Sequence, residues 1–292
     1  MISLEVRSAL ENYWKENKWP SIILNIKALS GGSINQAFYI ETESKKYFLK
    51  YHISKAHPGM FSSELKGLKL IAKTHTIRIP QTFLSFENDQ YSGILLEYID
   101  QGEYTSDFWR NFALKLSEMH RASSRSFGLD FSNYMGSIQQ SNKSHKCFVD
   151  FFIEERLEPQ MRMARNQGLL SPKHIKQCEK LYGELNSIFP NERPSLVHGD
   201  LWSGNFICDK MGQAVIIDPA VYYGHRELDI AMTTMFGGFH PDFYQYYQQF
   251  YPMEKGWKDR LPVYNLYPIL IHINLFGSSY IPSFERVISI FS

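Results

Sequence analysis

The spacing of apolar residues changes once along this chain, and that change limits the folds open to it. From Ile22 to about Ile99 the apolar residues fall in short, strand-like runs. Ile22, Leu24 and Ile26 alternate as a half-buried strand does. Ala37–Ile40 and Tyr47–Lys50 read as two strands joined by the polar turn Glu41–Lys46, and Thr82–Phe86 and Gly93–Glu97 as two more. An amphipathic helix, Ala9–Trp19, precedes them and is closed by Pro20. A second helix interrupts them, with Phe61, Leu65, Leu68 and Ala72 on one face and Ser62 or Ser63 as its cap. From Thr105 the spacing is helical. Phe108, Phe112, Leu116 and Met119 share a face that ends near His120, and Phe148–Asn166 is a further helical stretch. Gly136–Lys146 is polar and reads as an exposed loop. Pro194–Val197 and Ala214–Ile217 read as short strands flanking a loop, and the chain beyond Arg226 as aromatic-rich helix. The expected fold is α+β: a small antiparallel-sheet lobe over residues 1–99 and a larger, mainly helical lobe over residues 100–292.

Composition narrows the function classes. With 43% hydrophobic and 15% aromatic residues, the 292-residue chain can bury a sizeable core. Its 31 basic and 30 acidic residues leave a net charge of +1, without the basic excess of a nucleic-acid binder. Cys147, Cys178 and Cys208 lie far apart and form no CxxC unit, so neither a disulfide framework nor a zinc knuckle is indicated. Charged residues through the first 20 positions argue against a signal peptide. The most apolar stretch, Pro268–Phe276, holds His272 and Asn274 and is too short to span a membrane. A cytoplasmic setting is expected.

The densest chemistry lies in Leu196–Phe206, which contains His198-Gly199-Asp200-Leu201-Trp202-Ser203-Gly204-Asn205. Asn205 follows Asp200 by five positions, and Asp218 follows Asn205 by thirteen. Phosphoryl transfer needs such a set: one carboxylate to accept the proton of an attacking hydroxyl, and oxygen ligands for the magnesium that bridges ATP phosphates. Asp200 takes the first role in this reading, Asn205 and Asp218 the second, and the D-x-x-x-x-N spacing matches the protein-kinase catalytic loop. Lys50, in an apolar strand, is the phosphate contact, with Glu64 on the inward face of its helix as partner. Gly31, Gly32 and Ser33 form a small-residue loop that lets backbone N–H groups approach phosphate oxygens. Leu96, Glu97, Tyr98 and Ile99 form the connector that would receive adenine. Pro219 biases Asp218 toward extended backbone. His198 reads as a structural residue of the loop. Asp229 either caps its own helix or braces the loop.

HGDLWSGN (198–205), IDPAVYYGHRELDIA (217–231), Lys50, Glu64 and LEYI (96–99) together resemble the fructosamine/ketosamine-3-kinase family, within the aminoglycoside-phosphotransferase-like branch of kinase folds. FGLDFSNYMG (127–136), FFIEERLEPQ (151–160), FGGF (236–239), YNLYP (264–268) and NLFG (274–277) extend the similarity from about residue 28 almost to the end. The resemblance implies a bilobal protein-kinase-like fold, ATP and Mg²⁺, and transfer of the γ-phosphate to the 3-hydroxyl of ketosamines (fructosamines or ribulosamines), small or carried on glycated lysines of proteins. Phosphorylation there promotes loss of the sugar, a repair logic. Trp202, Tyr222 and His225 are candidate substrate contacts, with Tyr223 and Phe239 as further aromatic wall. Ser33 stands where some relatives carry cysteine, which removes thiol control at that position. An aminoglycoside or choline acceptor is the neighbouring alternative, disfavoured by the lack of a dense acidic run. A non-catalytic pseudokinase is disfavoured because all five expected catalytic positions hold competent residues.

Overall fold

A computed structural model of the chain describes residues 2–19, 22–29 and 35–291. It divides into two compact units, Met1–Thr105 with Ile207–Ile217, and Ser106–Phe206 with Asp218–Ser292.

In the first unit, helix α1 (Leu4–Glu16) begins where the Ser3 hydroxyl accepts the Val6 N–H at 3.2 Å. It therefore starts five residues before the expected Ala9. It ends before Lys18, which turns to a φ of 54°, and Pro20 lies outside the described residues. Val6, Leu10 and Trp14, one helical face, are fully buried with Phe38, Ile40, Tyr47, Leu49 and Leu95. Strands β1 (Ile23–Leu29), β2 (Gln36–Thr42) and β3 (Lys46–Ile53) precede helix α2 (Met60–Ala72). Strands β4 (Thr82–Glu87) and β5 (Tyr91–Glu97) complete one antiparallel sheet in the order β1-β2-β3-β5-β4.

Two local expectations fail here. A bulge between Ile23 and Asn25 shifts the phase of the edge strand, so Ile22 and Leu24 are about 60% exposed while Ile23 and Ile26 pack on the core. Helix α2 is entered through Gly59 in left-handed conformation, not capped by serine. Ser62 and Ser63 instead donate back to the carbonyls of Gly59 and Met60, at 3.0 and 2.7 Å. Phe61 and Leu68 carry α2 onto Ile94 and Leu96 of β5.

The hairpin of Phe206–Cys208 and Ala214–Ile216 brings Ile207–Ile217 to this unit. Gly102 donates to the Cys208 carbonyl (2.8 Å), and Ile216 to that of Arg78 (3.0 Å). The Arg78 guanidinium pairs with Asp209 and Glu97. The approach is close enough at Gly102 that a Cβ would lie 2.3 Å from the Asp209 carbonyl oxygen, so no side chain fits there.

In the second unit, helix α3 (Phe108–His120) buries Phe108, Phe112, Leu116 and Met119 as their spacing requires. The stretch Phe148–Asn166 is helical but contains a π-helical segment, Phe152–Leu157. Pro159 accounts for it: it has no N–H to give the Glu155 carbonyl, which instead accepts from Arg156 at 3.0 Å. The polar stretch Gly136–Lys146 is not an exposed loop. Ile138–Gln140 pairs with Asn133–Met135, and Gln140 and Asn142 are each 2% exposed because other amides and carbonyls satisfy them. Pro172–Ile188 forms a helix that the apolar spacing did not reveal; its signal is Ser171, whose hydroxyl accepts the His174 N–H while His174 accepts from the Ser171 N–H.

Candidate active site

The strand Ser195–Val197 pairs antiparallel with Tyr222–Gly224, and the segment His198–Asn205 leaves its end. The fully buried Asp229 holds that segment by its backbone. Its carboxylate accepts the His198 N–H at 2.7 Å and the Gly199 N–H at 2.9 Å, and lies 3.0 Å from His120 Nε2. Of the two roles open to Asp229 in the sequence, the contacts are those of a brace; the helix Glu227–Met232 has no side-chain cap. His198 is itself buried and accepts the Asp200 N–H at Nδ1 (3.3 Å), a structural contact. Gly199 cannot be replaced without strain: its φ is 82°, and a Cβ would sit 2.2 Å from the Ala220 carbonyl oxygen.

Asn205 Nδ2 donates both to the Asp200 carbonyl (2.8 Å) and to Asp200 Oδ2 (3.0 Å). The Asn205 amide oxygen is thereby the atom left to meet a cation. Asp218 has a φ of 54°, so the expected extended backbone is wrong. Pro219 excludes the right-handed helical region for its predecessor, and the short aspartate side chain tolerates the left-handed one. Burial and the Asp218 charge push the Asp200 carboxyl up to about 7, Asp229 adds to the rise, and the Asn205 hydrogen bond works against it. The Asn205 amide oxygen and the Asp218 carboxylate are hard oxygen donors of the kind that suits a divalent cation, with Asp200 beside them.

In the first unit, Lys50 lies mid-strand in β3, between Ala37 and Ile94. Its Nζ is 2.9 Å from Glu64 Oε2, with both side chains about nine-tenths buried. A buried ion pair is a poor way to gain stability, so its presence favours a chemical use. Leu96 is buried with Phe61 and Leu68. The Glu97 carboxylate accepts from Arg78 (2.7 Å) and the Gln81 N–H (2.9 Å), Tyr98 donates its N–H to Lys46, and Ile99 is 8% exposed. Gly31, Gly32 and Ser33 lie outside the described residues.

The substrate-wall assignments fare unevenly. Trp202 is half-buried and spreads over Gly204, with Phe236 edge-on at 5.6 Å. Tyr222 is 1% exposed, its ring covered by the Arg156 guanidinium at 4.0 Å, so it is core. So is His225, stacked on Phe148 at 3.6 Å and hydrogen-bonded to the Tyr264 hydroxyl at 3.0 Å. Burial and the charges of Arg260 and Arg226 push its pKa down to about 3. Phe239 is buried against Phe112, Phe206 and Phe243. In the strand Tyr222–Gly224 only Tyr223 faces partly outward.

A polar network behind the Asp218 segment had no sequence assignment. Arg156, fully buried, donates to the Ser141 carbonyl and Asn142 Oδ1, both at 2.6 Å. Asn142 and Gln140 donate to Asn133 Oδ1. Gln140 also donates to the Ala220 carbonyl (3.1 Å) and Asn133 to that of Val221 (2.8 Å). The only hint was the concentration of amides in a stretch read as solvated.

The family model described as fructosamine kinase matches residues 8–291. A probable ketoamine kinase of Enterococcus faecium is 40% identical over 86% of this chain and 89% of its own. The chloroplastic protein-ribulosamine 3-kinase of Arabidopsis thaliana is 37% identical over 91% of this chain and 82% of its own. Among solved structures, a candidate fructosamine-3-kinase from Haemophilus somnus aligns at a TM-score of 0.87 and 27% identity, covering 98% of this chain and 96% of that one. An aminoglycoside phosphotransferase aligns at 0.61 and 15% identity over 98% and 99%, which shows the fold alone. The fold is thus protein-kinase-like, and no helix among the described residues is long and apolar enough to cross a membrane. The chain belongs to the fructosamine kinase family.

Proposed function

We propose that this protein transfers the γ-phosphate of ATP to the 3-hydroxyl of a ketosamine, with Asp200 as the proton acceptor. The observation that carries the reading is the Asp200–Asn205 pairing beside Asp218, in a chain whose family is fructosamine kinase. Asn205 fixes Oδ2 of Asp200, which leaves Oδ1 to align the acceptor hydroxyl and take its proton as the new O–P bond forms. Asn205 Oδ1 and the Asp218 carboxylate would hold magnesium, and Lys50, steadied by Glu64, would hold phosphate oxygens. Magnesium–ATP, when bound, supplies the phosphoryl group and disperses the charge that develops on it. Asp229 keeps the loop backbone in place throughout, through the N–H groups of His198 and Gly199.

The product chemistry gives the reaction its use. In a ketosamine C2 is a ketone and C1 carries the amine; a phosphate on C3 leaves readily once the amine assists enolisation. Glycated lysines, on proteins or free, and a cytoplasmic setting belong to this proposal. Incubation with ATP, Mg²⁺ and fructosyl- or ribulosyl-lysine is the test: ADP and a ketosamine 3-phosphate should form together. ADP formed with an aminoglycoside or choline, and with no ketosamine, would replace the acceptor in this reading.

A further inference from the structure

Arg78 lies between helix α2 and strand β4, and three parts of the first unit meet on it. Its carbonyl accepts the Ile216 N–H at 3.0 Å, and its backbone bridges Val215 as a parallel strand would. One arm of its guanidinium, Nη1, pairs with Asp209 Oδ2; the other, Nη2, donates to Glu97 Oε1 at 2.7 Å. Ile216 stands two residues before Asp218, and Asp209 four residues after Asn205. Glu97 ends β5 and lies in the connector. One residue therefore touches the connector and both arms of the hairpin that runs between the two proposed magnesium ligands.

Both carboxylates are fixed before Arg78 reaches them. Asp209 is 3% exposed, and its Oδ1 accepts the Met211 and Gln213 N–H groups at 2.8 and 2.9 Å, which sets the turn and leaves Oδ2 for Arg78. Glu97 Oε2 accepts the Gln81 N–H at 2.9 Å, which leaves Oε1. A planar guanidinium can serve two fixed carboxylates at once, whereas the ammonium of a lysine is a point charge that serves one. The neighbouring tie from Lys210 to Asp100 (3.3 Å) is weaker, since the Lys210 side chain is 67% exposed.

We propose that Arg78 is a positioning residue for the magnesium of the bound nucleotide. It is not a ligand; it locks the hairpin onto the connector, and the hairpin ends set the directions of Asn205 and Asp218. This rests on the ketosamine-kinase reading and adds a residue to it. Without Arg78 the hairpin keeps its own strand pairing and Asp209 keeps its turn, but the arms are free to shift against the connector. A displacement of about 1 Å in the metal ligands is enough to weaken their hold on a magnesium–nucleotide complex, while the acceptor side keeps its own supports.

The test compares the wild type with Arg78→Met, Arg78→Lys and Lys210→Ala. It reads kcat, the KM values for magnesium–ATP and ribulosyl-lysine, and calorimetric binding of AMP-PNP with Mg²⁺ or with EDTA; thermal transitions check folding. Arg78→Met should raise the magnesium–ATP KM about tenfold or more and leave the ketosamine KM within about twofold. Its affinity for AMP-PNP should fall about tenfold with Mg²⁺ and change little with EDTA. Arg78→Lys, able to reach one carboxylate, should lie between the two, and Lys210→Ala should match the wild type. If Arg78→Met does not fold, Arg78→Lys carries the same comparison. Equal rises in both KM values, a loss in kcat alone, or equal losses of AMP-PNP affinity with Mg²⁺ and EDTA would overturn the positioning role while leaving the kinase reading intact. If the wild type phosphorylates no ketosamine, the kinase reading fails and calorimetry decides Arg78 alone. A magnesium-linked gain in affinity that Arg78→Met loses then supports the role, and a gain that it keeps, or no gain in the wild type, overturns it.

Discussion

Asn205 Nδ2 lies 3.0 Å from Asp200 Oδ2 and 2.8 Å from the carbonyl oxygen of the same residue, so one amide group fixes both the side chain and the backbone of the proposed base. Replacing that base should separate activity from stability. Asp200→Asn is expected to lower turnover about a thousandfold or more. It should also raise the melting temperature of the nucleotide-free protein at pH 8 by about 2 °C or more. The sign follows from the raised pKa. The folded state holds the Asp200 proton up to about pH 7, whereas the unfolded chain releases it near 3.8. Stability is therefore lost as pH rises through that window. The gain from Asp200→Asn should shrink toward pH 4, and a gain independent of pH would refute this assignment of the pKa.

Lys50 and Glu64 should behave as a buried pair. Each side chain is about nine-tenths buried, so Lys50→Met or Glu64→Leu alone leaves an uncompensated charge and should cost about 3 kcal/mol in chemical denaturation. The double replacement should recover most of that stability and none of the activity. Additive losses would show that the two residues act independently.

Asp229→Asn keeps the shape of the brace but turns one acceptor into a donor facing the N–H groups of His198 or Gly199. Misalignment of the loop should lower kcat about 10- to 100-fold while the KM for ATP changes little. A kcat equal to that of the wild type would remove the positioning role.

Arg156 supports the backbone after Asp218 through Asn142, Asn133 and Gln140. Arg156→Met preserves much of the volume but strands the Ser141 carbonyl and Asn142 Oδ1. A stability loss of about 3 kcal/mol is expected, read from the denaturation midpoint. A midpoint within experimental error of the wild type would mean that the network is dispensable.

Much of the fold was legible because its elements repeat at strict periods. The face Phe108, Phe112, Leu116 and Met119 needed only its spacing, as did the strands around Lys50. Where one residue changes the phase, spacing misleads: the bulge after Ile23 inverts β1, and the missing N–H of Pro159 opens the π-helical turn in Phe148–Asn166. Burial of polar side chains was invisible for a different reason. Asn133, Gln140 and Asn142 are hydrophilic in composition and become core only through partners far along the chain. The same limit affected Tyr222 and His225, whose chemistry suits a binding wall as well as an aromatic core. Asp200, Asn205 and Asp218 stood out because their spacing carries a chemical requirement rather than a packing one.

The most direct measurement is the reaction itself, followed by ADP release and phosphorus NMR of the sugar product, with ribulosyl-lysine, ATP and Mg²⁺ and with Asp200→Asn as control. One phosphate on the 3-hydroxyl for each ADP released, and neither product from the variant, is the expected result. ADP release that no ketosamine stimulates, or undiminished transfer by Asp200→Asn, would contradict the account.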